Sequence, residues 1–145
     1  MKTRIIIISL ILIILIIAVC IFGFYNFSHK TNSVEIDGHR FKVELAIDSQ
    51  ARQKGLGDRD QLCPDCGMLF LFPQKGVYSF WMKDMRFNLD IIWILDGKIV
   101  YISRNNSFHD LSLINPGVEA DKVLEINANL ADKYGFKAGD EVKIK

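Results

Sequence analysis

Cysteine, proline and histidine are scarce in this chain, each occurring three times in 145 residues. Three thiols cannot build a disulfide-dense mini-protein, and so few prolines among ten glycines leave no basis for a collagen-like chain. Neither sign of charge dominates: 18 Lys and Arg stand against 17 Asp and Glu. Binding to nucleic acid through bulk positive charge is therefore not expected. No self-similarity with a period of 20–50 residues appears, so solenoids and propellers are set aside. The Gly-x-Ser-x-Gly elbow, the His-Glu-x-x-His helix and the phosphate-cradling glycine loop are also missing.

Hydrophobic residues, by contrast, are plentiful and unevenly placed. Residues 5–25 hold 19 apolar side chains out of 21 and no charge, whereas the 120 residues from Asn26 hold 52 apolar side chains, an ordinary globular share that argues against disorder. At about 1.5 Å of rise per residue, residues 5–24 would form a helix of roughly 30 Å, enough to cross the hydrocarbon core of a bilayer. Lys2, Arg4 and the α-amino group precede this run, while Lys30 and His29 follow it. The positive-inside rule then places the N-terminus in the cytoplasm and the rest of the chain outside. The run is read as an uncleaved signal anchor. A cleaved signal peptide, giving a secreted domain, is the alternative, although Ala18-Val19-Cys20 fits a small-x-small cleavage site poorly. Lipoprotein processing before Cys20 would need a small residue where Val19 stands. A soluble buried helix would need a polar face that the run lacks.

The chain divides into residues 1–25 as a transmembrane helix, 26–33 as a polar linker and 34–145 as a folded domain. Phe41, Val43, Leu45 and Ile47 alternate with Arg40, Lys42, Glu44 and Ala46, the period of a strand with one face on a core. Asp37-Gly38 and Asp96-Gly97 are hairpin turns. Asp48 or Ser49 caps a short helix over residues 50–54, ended by Gly55. A second short helix starts at Asn127 or Asn129 and ends at Gly135. Further strands are expected at residues 68–72 (stopped by Pro73), 77–82, 89–95, 98–102, 123–126 and around Val142–Ile144, with a long loop over 104–117. Strands such as Ile91-Ile92-Trp93-Ile94 are apolar on both faces, which suits a sheet covered on both sides or curled into a small barrel. The expected fold is mainly β, barrel-like, with two short helices.

Three features could carry chemistry. Cys63-Pro64-Asp65-Cys66 is read first as a local disulfide in an oxidising exterior. Redox catalysis would want a helix where residues 67–72 read as a strand, and zinc would need two more ligands from His29, His39, His109 or carboxylates at no recognisable spacing. No metal or cofactor is expected. The second feature is the segment from Phe80 to Asp90. In a strand, Trp81 and Lys83 share a face, close to Asp84, Arg86, Asn88 and Asp90, so an indole beside fixed polar groups could hold a sugar or another polar ligand. The alternative is that Trp81 belongs to the core and that Asp90 is a buried acceptor for backbone N–H groups. The third feature is the loop with Arg104 and His109-Asp110, where His109 could act as a general base or simply be solvated. Asp58 and Asp60 could serve glycoside hydrolysis only if a sugar fitted between them.

One set of motifs resembles a known family. It comprises Ala51-Arg52-Gln53-Lys54-Gly55-Leu56 followed by Arg59; Gly67-Met68-Leu69-Phe70 leading to Phe72-Pro73; Phe80-Trp81-Met82-Lys83 followed by Leu89-Asp90-Ile91; and Val123-Leu124-Glu125 leading to Gly135-Phe136-Lys137-Ala138-Gly139-Asp140. In order and spacing these are similar to the DUF192 (UPF0127) family. The resemblance implies a predominantly β domain behind a signal or anchor and implies no activity. The chain departs from it in carrying Cys-x-x-Cys before Gly67 and in lacking cysteines after Arg104. The expected function is an extracytoplasmic ligand-binding or accessory module held to the membrane. Its ligand surface would comprise Trp81, Lys83, Asp84, Asp90, Arg104 and His109, and its partner would be an envelope small molecule, glycan or protein. The alternatives are a small envelope enzyme using Lys83, Asp90 or His109, and a redox or metal protein using Cys63 and Cys66.

Overall fold

The computed structural model describes residues 32–145. The expected membrane helix and most of the linker lie outside the described residues. Two Asp-Gly pairs set the hairpins. Asp37 (φ 47°) with Gly38 (φ 80°), and Asp96 (φ 49°) with Gly97 (φ 76°), have the paired left-handed conformations of a type I′ turn. The first joins β1 (Ser33–Ile36) to β2 (His39–Ala46), and the second joins β4 (Leu89–Leu95) to β5 (Lys98–Asn106). Helix α1 (Ser49–Lys54) follows β2, and β3 (Cys66–Gly76) runs parallel to β2. Then come β6 (Ala120–Asn127), α2 (Leu130–Tyr134) and β7 (Val142–Ile144).

All seven strands join one mixed sheet in the order β5-β4-β6-β3-β2-β1-β7, curled into a half-barrel. Its two ends are drawn together. Glu141, just before β7, bridges Lys98 at the start of β5. Around that bridge Ile99 N donates to Asp140 O (3.0 Å), Gly139 N to Ile99 O (2.8 Å) and Val142 N to Gly97 O (2.8 Å). These bonds occupy edge groups that would otherwise be open to another chain.

The two-sided apolar strands have a direct explanation. Alternate residues of β3, β4 and β6 enter two separate cores. Leu69, Ile92, Ile94, Leu124 and Ile126 pack with Phe41, Ala131 and Phe136 on the face covered by α2. Met68, Phe70, Ile91, Trp93 and Val123 pack with Leu56, Met82 and Leu89 on the other face, beneath irregular segments. The sheet is thus curled and also sandwiched.

Several local expectations change: Ile47, expected on the core face, lies beyond β2 and is exposed, and Ala46 is buried in its stead. Strand β3 does not stop at Pro73 but continues to Gly76. Its register against β6 shifts between Leu71 and Gly76, so Pro73 falls where no ladder bond is required of it. Residues 77–82 form no strand; only Phe80 makes a bridge, to Ile114, because this segment crosses the second core as a cover. The expected loop from 104 begins later, since β5 pairs with β4 as far as Asn106 opposite Leu89.

Candidate functional site

Asp48 caps α1 by accepting from Ala51 N at 2.8 Å, and Gly55 ends the helix with φ 52°. This short helix presents Arg52 to the outer edge of β3. Arg52 Nη1 donates to Ile47 O (2.6 Å) and Leu71 O (3.0 Å), and its guanidinium lies 5.5 Å from the centre of the Phe72 ring. Phe72 stacks on Tyr78 with centroids 3.6 Å apart. Tyr78 is held at both ends: its hydroxyl donates to Gln74 O (2.6 Å), and its carbonyl accepts from the indole N–H of the buried Trp93 (2.7 Å). Phe80 meets Phe70 and Trp93 edge-on at 4.9 and 5.7 Å. Between α1 and residues 78–81 these groups leave a cleft of about 240 Å³, walled by Arg52, Phe70, Phe72, Tyr78, Phe80 and Trp81.

Trp81 is 52% exposed, so the reading that placed it in the core is corrected: Trp93 is the core indole, at 0%. Lys83 Nζ lies 5.3 Å from the Trp81 ring centre, within cation–π range, although no strand forms here to set them on one face and Lys83 lies in a turn. Asp84 sits next to them in the left-handed region (φ 58°), and its carbonyl accepts from Asp58 N at 2.8 Å.

The remaining predicted ligand residues are placed elsewhere. Asp90 is fully buried, and its carboxylate accepts from Asn105 N (2.7 Å) and Ala131 N (2.8 Å), tying β5 and the first turn of α2 to the start of β4. That is the structural role weighed against ligand binding, and it removes Asp90 from any open surface. Arg104 donates to Phe136 O (2.7 Å) and pairs with Asp132 at 2.7 Å, so it fastens α2 rather than joining Trp81. His109 is exposed and packs on Phe108 with centroids 3.9 Å apart. Its neighbour Asp110 accepts from Ser112 N at 2.9 Å and is held below the usual carboxylate range by the Ser112 side chain and backbone. Cys63 and Cys66 are joined as a disulfide with Cα atoms 5.1 Å apart.

Arg52 and Phe72 stand in the family motifs quoted above and Tyr78 does not, but none was read as a site residue, because what assembles them is tertiary. Glu125 carried a readable signal, as the one charge inside the apolar run Val123–Ile126. It alternates with Leu124 and Ile126 of the first core, and the face it occupies is covered as well. Glu125 pairs across the sheet with Met68 and Ile91 on the second-core face and is 5% exposed. Its Oε2 has no hydrogen-bond partner among the described residues. A Cβ placed on Gly55 would lie 3.9 Å from that oxygen and 3.4 Å from Phe70 Cζ, so the carboxyl sits under the end of α1, one pair of residues inward from the floor of the cleft. Burial pushes its pKa up to about 8, and at neutral pH the group is mostly protonated.

The chain resembles proteins of known structure. A protein of unknown function from Novosphingobium aromaticivorans is 34% identical, with 77% of this chain and 83% of that one covered and a TM-score of 0.73. A "putative transcription regulator" from Sinorhizobium meliloti is 33% identical over 78% of this chain and 91% of that one, also with a TM-score of 0.73. No curated protein matches the chain. Residues 32–144 match the family model described as "Uncharacterized ACR, COG1430". The chain therefore belongs to the DUF192 family.

Proposed function

We propose that this protein is a ligand-binding module of the cell envelope, tethered by residues 5–24 with its β domain on the extracytoplasmic side. The observation that carries this reading is the exposed Trp81 beside a preformed aromatic cleft. Large indoles are seldom left half in water, and here the ring adjoins Arg52 and Lys83. Arg52 uses Nη1 on two carbonyls, and its other donors have no partner among the described residues. A half-exposed indole with the Lys83 ammonium over it, beside a cleft walled by the Arg52 guanidinium, suits a small ring-bearing anion such as an acidic sugar. A cleft of about 240 Å³ is near the lower end of small-molecule sites.

The regulator name of the Sinorhizobium relative is not carried over. From Asn26 onward 16 Lys and Arg face 17 Asp and Glu, which gives nucleic acid little electrostatic hold. The enzymatic alternative loses Asp90, whose carboxylate is sealed beneath two backbone donors.

The reading is tested by titrating the purified chain with uronic-acid oligosaccharides in a calorimeter, a readout that does not depend on Trp81. Trp81→Ala is expected to weaken binding at least tenfold without shifting the thermal transition by more than a few degrees, and Arg52→Lys is expected to weaken binding at least tenfold while also lowering the transition, since the Ile47 and Leu71 carbonyls lose the guanidinium that holds both. Binding that survives both substitutions, or no heat of binding from any such oligosaccharide, would overturn it.

A further inference from the structure

Beside the cleft lies a second exposed feature. Phe80 and Ile114 form a reciprocal backbone pair, with Phe80 N donating to Ile114 O (3.0 Å) and Ile114 N to Phe80 O (2.7 Å). Both side chains pack against the second core. Their neighbours across that pair, Trp81 and Leu113, are turned to the outside and are 52% and 66% exposed. Leu111, two residues from Leu113, is 61% exposed. Two separate loops, 77–88 and 107–119, therefore present a tryptophan and two leucines on one ribbon, with the Lys83 ammonium over the indole.

We propose that this ribbon docks on the lipid bilayer, with Leu111 and Leu113 entering the acyl boundary while Trp81 and Lys83 sit at headgroup level. The inference rests on residues 5–24 being a bilayer anchor. An indole paired with a cation is interfacial chemistry, and protruding leucines supply the apolar insertion. The occupant follows from chain length. Only residues 26–32 separate the apolar run from β1, and seven residues span at most about 25 Å. A domain of this size has a radius of gyration of about 13 Å. Once the run is in a bilayer, the domain cannot move more than about its own diameter away, so a lipid surface is always close to it. Docking there would open the mouth of the cleft at the lipid–water boundary.

The test uses the full chain reconstituted in phosphatidylcholine–phosphatidylglycerol vesicles with bromine on the acyl chains. With two tryptophans in the chain, Trp93→Phe leaves Trp81 as reporter and Trp81→Phe leaves the buried Trp93 as control. Docking predicts that Trp81 emission shifts to the blue and loses at least half its intensity relative to unbrominated vesicles, while Trp93 changes by less than one fifth. It also predicts that Leu111→Ser with Leu113→Ser restores Trp81 emission. Should Trp93→Phe fail to fold, the same comparison is made as the wild-type minus Trp81→Phe difference. If the chain floats with the vesicles but Trp81 stays unquenched, docking is overturned and anchoring stands. If the chain does not float, both fail.

Discussion

Glu125 offers the most demanding test of the fold as described, because its environment gives a stability effect of definite sign. An ordinary glutamate titrates at 4.5, whereas in the folded chain burial holds this one up to about 8. Between those pH values the folded protein binds a proton at this site and the unfolded chain does not. Folding takes up a proton, so rising pH opposes folding. The penalty grows by about 1.4 kcal/mol per pH unit, reaches about 3 kcal/mol at pH 7 and levels off near 5 kcal/mol above pH 8. Glu125→Gln keeps the shape and removes the charge. It should match the wild type near pH 4.5, exceed it by about 3 kcal/mol at pH 7 and by about 5 kcal/mol at pH 9. Urea unfolding followed through the buried Trp93 in a Trp81→Phe background, at half-unit steps from pH 4.5 to 9, measures the difference. The carboxylates held low by partners do not confuse the window. Glu44 is lowered by its bond to Arg59, and Asp140 by the Lys137 backbone N–H. Their contributions are present above the ordinary carboxylate range and are lost as pH falls through the folded values, below the Glu125 limb. Parallel pH profiles for wild type and Glu125→Gln between pH 5 and 8 would refute the burial and the reasoning together.

Three further outcomes follow from single contacts. Asp90→Ala strands two backbone donors, each in a charge-assisted bond, and should cost about 3–6 kcal/mol in urea unfolding, while Asp90→Asn, which keeps one acceptor oxygen, should cost roughly half as much. Gly67→Ala would put a Cβ 2.7 Å from the carbonyl oxygen of Glu125, a contact with backbone in the middle of the sheet that a rotamer change cannot relieve, so the thermal midpoint should fall by an amount equivalent to about 1–3 kcal/mol. The Cys63–Cys66 disulfide closes a four-residue loop, and the chain-entropy cost of that size predicts that Cys63→Ser with Cys66→Ser lowers stability by about 2 kcal/mol, seen as a shift in urea midpoint; an unchanged midpoint would show that the link constrains nothing in the unfolded chain.

Local chemistry was legible wherever one or two residues decide a conformation. Asp37-Gly38 and Asp96-Gly97 could be read because a type I′ turn needs two residues that tolerate positive φ, and Asp48, Gly55 and Gly135 because helix ends need an acceptor or a left-handed residue. The two-sided strands were legible as covered strands. What covered them was not, since the same pattern serves a closed barrel and a sheet between two cores. Residues 77–82 misled for a related reason: alternate residues can be buried in a cover segment without any ladder. The two indoles could not be told apart by composition. Trp93 is buried because β4 lies between β5 and β6 under the cover, and Trp81 is exposed because its neighbour Phe80 takes the inward position. Arg52 was out of reach because its partners, the carbonyls of Ile47 and Leu71, are brought together only when β2 and β3 run parallel.

The location of the cleft follows from how the second core is closed. The first core is finished by α2, whose own backbone bonds leave little to satisfy. The second is finished by α1 and by loops, and irregular backbone laid over an apolar face brings carbonyls that must find donors. Trp93 supplies one to Tyr78, and Arg52 supplies two to Ile47 and Leu71. Each of these donors is a large side chain, and packing Trp93, Arg52, Phe72 and Tyr78 around the cover leaves the gap that Trp81 borders. The cations and rings that would hold a ligand are therefore the same groups that keep the cover attached. A ligand seated there adds contacts between α1, β3 and residues 78–81, and it should raise the thermal midpoint by closing the least regular part of the fold.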